Sequence, residues 1–413
     1  MTARRAAVPL ALLALLAGCS SPTTENPGPP PLLEALPRSL SATESGLVTA
    51  GNQFGFDLLR EVRRGGPDST IFLSPMSASM ALGMTLSGAA GTTLDSLRVA
   101  LRLGSTPVGD INAAYHSLIA LLRGLDELSQ FRIANSIWAQ TGFPFLQPFL
   151  DAGRTDFDAE IRNVDFTAPA TLQAINDWAK DKTNGKIPTI LDDIGDEVMF
   201  LINAIYFKGT WRLAFDPKDT HPAPFHDVDG TTHAVPTMWL QPVTNRYAFT
   251  RDAEILELLY GNGAFAMTIV LPSRDRTLAD ITTGLDVTRW AGWIGALQDQ
   301  KVGLTLPKFR IEYKRDLKDD LSALGMRIAF DPGRADFSGM ANIAPERLFI
   351  TRVTQKTFVD VDEEGTEAAA VTSVGIAPTS LPPMVTVDRP FLLAIRERFS
   401  GTILFLGQIT RLP

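Results

Sequence analysis

Four histidines, one cysteine and scattered serines are the side chains from which this chain could build a reactive site. The histidines are His116, His221, His226 and His233. None stands in an H-E-x-x-H pair or a Cys/His cluster, so no metal site is expected. No G-x-S-x-G elbow, S-x-x-K or P-loop occurs either, which leaves acyl transfer and nucleotide phosphate without a cradle. "GNGAFA" at Gly261 to Ala266 is a partial dinucleotide fingerprint. It lies between two strand-like runs, "EILELLY" and "FAMTIVLP", where that fingerprint needs a strand and then a helix. A hairpin turn is the expected structure, and no cofactor is expected.

One stretch is suited to being acted upon. "DEEGTEAAAVTSVGIAPTSLPPM" runs from Asp362 to Met384 with no Lys, Arg or aromatic residue. Its alternate positions Thr366, Ala368, Ala370, Thr372, Val374 and Ile376 carry no charge, begin small and end apolar. The other set is Glu367, Ala369, Val371, Ser373, Gly375 and Ala377. Successive strand residues point to opposite faces, so this is a strand pattern with one buriable face. No proline interrupts Gly365 to Ala377, and every inner N–H is free to join a ladder. The prolines begin at Pro378.

The elements that must position this stretch are mixed. "NQFGFDLLREVRR" spaces Phe54, Leu58 and Val62 as a helical stripe. Ser74-Pro75 starts a second helix, apolar all round and therefore expected to be buried, that stops by Gly88. "FRIANSIWAQ" and "EVMFLINAIYFKGTW" read as central strands. "GLTLPKFRIEYK", "KTFVDVDEEG" and "GTILFLGQI" read as further strands. Helices concentrate in the first half and strands in the second, so the fold class is α+β. Length and composition (413 residues, 45% hydrophobic, 20% charged) suit one large domain. The net charge of −8 offers nothing to nucleic acid.

The first residues read as a targeting segment. Arg4 and Arg5 precede an apolar run from Ala6 to Leu16 that is too short to span a bilayer. The run ends in Leu16-Ala17-Gly18-Cys19, which resembles the lipobox of bacterial lipoproteins. Residues 1–18 are then a signal peptide, and Cys19 is the lipidated anchor. Its removal takes two arginines and brings the net charge from −8 to −10. Residues 19–40 are proline-rich and read as an extended tether, with the folded domain spanning 41–413. The expectation is an exported lipoprotein of the cell envelope, on the outer membrane, the cell surface or the periplasmic side. Cys19 is the sole cysteine, so no disulfide staples the domain.

Five stretches together resemble the serpins. "SPMSASMALGMTLSGAAGTT" is similar to the family's buried helix. "INDWAKDKTNGKI" and "LINAIYFKGTWRLAFDPKDT" are similar to its N-x-W…T-x-G-K-I and N-A-x-Y-F-K-G-x-W signatures. "VDEEGTEAAAVT" resembles the proximal hinge of its reactive loop, and "DRPFLLAIRERFSGTILFLGQI" its closing strands. The resemblance covers about residues 43 to 413. It implies a serpin fold, with helices around large mixed and antiparallel sheets, and a reactive loop at about 363–385.

It also implies a function. The loop offers a bond to a serine endopeptidase, or a cysteine endopeptidase, and on cleavage enters the main sheet as a new strand. Counting from Gly365 and from Pro390-Phe391 gives the same bond, Thr379–Ser380. The hinge is Gly365, Thr366, Glu367, Ala368, Ala369 and Ala370. A buried polar cluster where the sheet opens matches Ser74, Ser77, Asn203 and Gln355. Gln355 replaces the family's histidine, which removes a titratable group while keeping a donor and an acceptor. The chain is then a consumed inhibitor and not an enzyme, monomeric, with targets having small or medium primary pockets, elastase-like or subtilisin-like. The alternative is a non-inhibitory scaffold lipoprotein of the same fold.

Overall fold

The structure, a computed structural model, describes residues 30–365 and 382–413. Its helices are α1 (Ala42–Arg64), α2 (Pro75–Leu86), α3 (Gly91–Ala100), α4 (Val108–Arg123), α5 (Gln147–Phe157), α6 (Pro169–Lys182), α7 (Leu278–Thr282), α8 (Val287–Ala296) and α9 (Lys318–Leu321). Its strands are β1 (Ile71–Leu73), β2 (Ser129–Gln140), β3 (Ala159–Val164), β4 (Met199–Gly209), β5 (His221–His226), β6 (Thr232–Phe249) and β7 (Ala253–Leu259). They continue with β8 (Phe265–Pro272), β9 (Gln298–Pro307), β10 (Phe309–Asp316), β11 (Thr354–Val361), β12 (Met384–Thr386), β13 (Phe391–Glu397) and β14 (Ile403–Ile409). This is the α+β serpin arrangement.

Three sheets form. The largest runs β1-β14-β13-β8-β7-β6-β9-β12, with β5 beside β6. A three-stranded sheet runs β3-β2-β4, and β10 pairs with β11 alone. β7 and β8 pair antiparallel across Gly261 and Gly263, which both have positive φ, so "GNGAFA" is a turn. "GLTLPKFRIEYK" divides at Lys308 into β9 and β10, which lie in different sheets. Its alternation changes phase between Leu306 and Phe309, where Pro307 ends one strand.

α2 is buried along nearly its whole length, as its composition requires. Ser74 caps it, its Oγ accepting from Ser77 N at 3.3 Å, with Pro75 in the first turn. A second, smaller core lies under α6. There Trp138, Ile175, Trp178, Phe200, Ile202 and Ala204 pack with Ile187, Ile190 and Leu191.

The domain begins earlier than the proline content suggests. Leu33, Leu36 and Leu40 pack against the main core, Leu33 N donates to Asn262 O at 2.8 Å, and Pro30 O accepts from Arg212. Residues 30–40 are therefore docked on the domain and are not free tether. Their leucines gain more by burial than the prolines do by staying extended in water.

Candidate functional site

β11 alternates as its sequence does. Gln355, Thr357, Val359 and Val361 are buried, while Lys356, Phe358 and Asp360 are half-buried on the other face. The chain then reverses. Gly365 and Asp362 exchange two backbone hydrogen bonds, each 3.3 Å. Gly365 also forms an antiparallel bridge with Thr210, the residue after β4. One residue thus sits between the strand line of β4 and that of β11. Its φ is +112°, and a Cβ there would lie 2.4 Å from Trp211 N and 2.5 Å from Gly209 O, so the position requires glycine. Trp211 and Phe215 fix the turn from one side, their N–H groups donating to Glu364 O at 3.1 Å and Glu363 O at 2.9 Å.

The turn's charges are paired. Glu363 Oε2 is 2.6 Å from Lys308 Nζ, and its Oε1 accepts from Thr220 at 2.7 Å. Burial pushes this carboxyl up, but the bonds from Lys308 and Thr220 outweigh it and hold the group below its usual range. Burial pushes the neighbouring Asp362 up, and the nearby Asp360 and Glu364 add to the rise.

Below Gly365, β4 and β11 face each other without a ladder among the described residues. Two cavities lie along this seam. The upper, of about 350 Å³, is lined by Ile205 to Lys208 of β4 and Phe358 to Asp360 of β11. The lower, of about 740 Å³, is lined by Met199 to Asn203 of β4 and by Thr354 to Lys356 of β11 and its approach, with α2 also contributing. β4 was expected to be central; in the described residues one of its edges opens on this seam.

The four polar residues expected where the sheet opens meet only in part. Gln355 Oε1 accepts from Ser74 N at 3.1 Å, and its Nε2 donates to Ser74 O at 2.9 Å. Both hydrogen-bonding ends of Gln355 are thereby used on the backbone of one residue, Ser74, with no titrating group. Ser74 Oγ donates to Leu404 O at 2.7 Å. Ser77 joins through its backbone N–H and lines the lower cavity. Asn203 lines the same cavity but turns its amide nitrogen to Asn135, at 2.7 Å. Its Oδ1 is sealed from solvent without a hydrogen-bond partner among the described residues.

The segment between α6 and β4 roofs the seam. Its Ile187, Ile190 and Leu191 belong to the core under α6. Its acids reach across to the β10–β11 side. Asp192 pairs with Lys314, and with Lys356 at 3.7 Å; Asp193 and Glu197 pair with Arg352. Lys186 lies over the Phe358 ring at 4.9 Å and 3.9 Å from Asp360. Sequence reasoning missed Lys308, Thr210 and these acids. Their partners lie more than fifty residues away, so no local spacing announces them.

Of the hinge residues, Gly365 is described; Thr366, Glu367, Ala368, Ala369 and Ala370 lie outside the described residues, as do Thr379, Ser380 and Cys19.

Comparison with known proteins agrees with this architecture. The family profile described as Serpin (serine protease inhibitor) matches residues 49–412. Iripin-2 of Ixodes ricinus is 36% identical over 380 residues, covering 89% of this chain and 94% of the relative. Glia-derived nexin of Rattus norvegicus is 32% identical over 376 residues, covering 88% and 93%. Among solved structures, the thermophilic serpin tengpin in its native state matches with a TM-score of 0.81 and 31% identity, over 92% of this chain and 98% of that one. Human thyroxine-binding globulin in complex with its hormone matches with a TM-score of 0.81 and 30% identity, over 90% and 100%.

Proposed function

Because the chain belongs to the serpin family, we propose that it is a suicide-substrate inhibitor of serine endopeptidases, trapping the acyl-enzyme by inserting its cut loop between β4 and β11. The observation that carries this reading is the double bridge of Gly365, to Thr210 on one side and Asp362 on the other, at the head of an open seam. A chain continuing past Gly365 in that register descends antiparallel to both strands.

The register also sorts the side chains. Each step beyond Gly365 pairs with one step back along β4 and β11. Ala368 then falls opposite Phe207 and Val359, and Ala370 opposite Ile205 and Thr357, all buried. Residues directly opposite share a face. Inserted in that register, the uncharged set Thr366 to Ile376 would turn to the main core from both neighbours alike, and the Glu367 set would turn to the roof. That agreement between two independent strands supports insertion over an inert loop.

The chemistry needs no catalytic group from this chain. The protease serine attacks the Thr379 carbonyl, the Thr379–Ser380 bond breaks, and the new amine leaves on Ser380. Thr379 is then held as an ester on the enzyme. Insertion of about 14 residues at about 3.3 Å each carries the enzyme roughly 45 Å. A displacement of 1 Å already disables such a site on the order of a hundredfold, so hydrolysis of the ester stops. Cys19, acylated at the end of its tether, would hold the inhibitor in the cell envelope as a membrane-attached monomer.

The likeness to a thyroxine-binding globulin favours a second reading, a non-inhibitory binding scaffold, which family membership alone does not separate from the first. The discriminating experiment is a protease panel run on denaturing gels. Elastase-like or subtilisin-like enzymes should give a band at the summed mass, and the released peptide should begin at Ser380. Residues 366–388 hold no Lys or Arg, so a trypsin-type pocket would be left with an unpaired carboxylate. Cleavage with no stable band across the panel would leave the scaffold reading.

A further inference from the structure

The methionines of this fold are unevenly covered. Met76, Met80, Met84, Met238, Met267, Met326 and Met340 are 5% exposed or less. Met199 is half-buried. Met384 is 44% exposed, and among the described residues it is the one exposed methionine. A reagent in solution that attacks thioethers therefore meets Met384 first.

Met384 also holds a particular place. It opens β12, which has three residues and pairs with β9 alone, in parallel, with Met384 opposite Gly303. A Cβ at 303 would lie 2.6 Å from Met384 Cε, 2.8 Å from its Sδ and 3.4 Å from Pro242 Cγ. The thioether thus fills the room that the glycine leaves. At the same point Gly303 N donates to Pro383 O at 3.0 Å. At the far end, Val385 and Val387 are buried, and Val387 N donates to Thr305 O at 3.0 Å. One end of β12 is pinned by core side chains and the other by an exposed sulfur.

We infer that Met384 is an oxidation site, where hydrogen peroxide forms the sulfoxide and frees the first residue of β12 from β9. The sulfur attacks one peroxide oxygen, an S–O bond forms and the O–O bond breaks. The departing hydroxide takes the hydroxyl proton and leaves as water. Sulfur loses two electrons and the peroxide gains them. The product is polar where the thioether was apolar. Its oxygen draws the side chain from Gly303 into water, and a strand with one neighbour has little else at that end to hold it. On the inhibitor reading proposed above, β12 receives the chain that follows the reactive bond, so oxidation slows trapping.

The test treats the full chain with dilute hydrogen peroxide and maps sulfoxide by peptide mass spectrometry. Met384 should be oxidised about tenfold or more faster than the buried methionines, since access governs the rate. Amide hydrogen exchange then reports on the strand. After oxidation Gly303 N–H should exchange about tenfold faster and Val387 N–H should change by less than about twofold, because only one end of β12 opens. Methionine sulfoxide reductase should reverse the change. Met384→Leu keeps an apolar side chain of similar volume that peroxide does not attack. Treated Met384→Leu should exchange as untreated wild type does. With a protease that wild type traps, oxidised wild type should trap more slowly and treated Met384→Leu should keep its rate. Sulfoxide at the buried methionines as fast as at Met384 would overturn the proposal, as would an unmoved Gly303 amide in oxidised protein. The same amide change in treated Met384→Leu would overturn it too. If untreated wild type traps no protease, the inhibitor reading fails, while the sulfoxide map and the Gly303 amide still decide the oxidation site.

Discussion

The Lys308 ammonium lies 2.6 Å from the Glu363 carboxylate, two residues before Gly365 in the turn at the head of the seam. Glu363 is buried and Lys308 about a third exposed. Glu363→Gln should lower the stability of the uncut protein by about 1–2 kcal/mol, less than a fully buried pair because water screens Lys308. The carboxyl is held below its usual range, so its contribution is present above ordinary glutamate pH and fades as pH falls through the folded value. Thermal melts of wild type and variant should therefore differ at neutral pH and converge in acid. Equal melts at neutral pH would remove the pair from the account of the hinge.

Thr366 is the first residue that insertion would turn inward. Thr366→Arg would place a charge against the core beside Val361, at a cost of several kcal/mol. The variant should fold and be cut at Thr379–Ser380, yet behave as a substrate. Cleaved wild type should melt well above the intact protein, and cleaved Thr366→Arg should gain much less. Full-stoichiometry trapping by Thr366→Arg would rule out insertion from this residue onward.

Glu44 gives the sharpest acid dependence. It is 2% exposed and caps its own helix, accepting from Ser41 N at 2.7 Å while Arg38 holds it from outside at 2.6 Å. Its hydrogen bond with Arg38 is the main force lowering its pKa, to about 2, against the opposing effect of burial. A depressed carboxyl stabilises the fold above its unfolded pKa, and that stabilisation drains away as pH falls from about 4.5 towards 2. Glu44→Gln should cost about 2 kcal/mol at pH 7 by denaturant titration and almost nothing near pH 2. A constant difference across that range would show the loss to be one of packing.

The anchor is tested by Cys19→Ser. The variant should leave the membrane fraction and keep full inhibitory activity in solution, because among the described residues the docked segment starts at Pro30, well after Cys19 in sequence. Retention after salt and carbonate washes would show that attachment does not run through Cys19.

Local patterns were read correctly where one element decides its own burial. The apolar run after Ser74 is buried as α2, and the strand read in "KTFVDVDEEG" is the later part of β11, which ends at Val361. Where two distant segments decide together, the sequence is silent. Nothing around Asp193 or Glu197 points to Arg352, and nothing around Lys308 points to Glu363. Asn203 was grouped with Gln355, but the paired strand β2 offers it Asn135 at a closer reach. Residues 30–40 show a third limit: a proline count sees chain stiffness but not the core against which Leu33 and Leu36 pack.

The facing edges of β4 and β11 also bear on handling of the protein. An unfilled place in a sheet is a template for any extended chain that reaches it, including one from a second copy. On the insertion mechanism proposed above, the uncut fold would persist by the height of a barrier, and its useful life would be a half-life set by temperature and time. Concentration enters the same way, since filling by another copy is a second-order event while filling by the chain's own loop is first-order. Dilute, cold storage should preserve activity that concentrated, warm storage loses, with no bond cut in either sample.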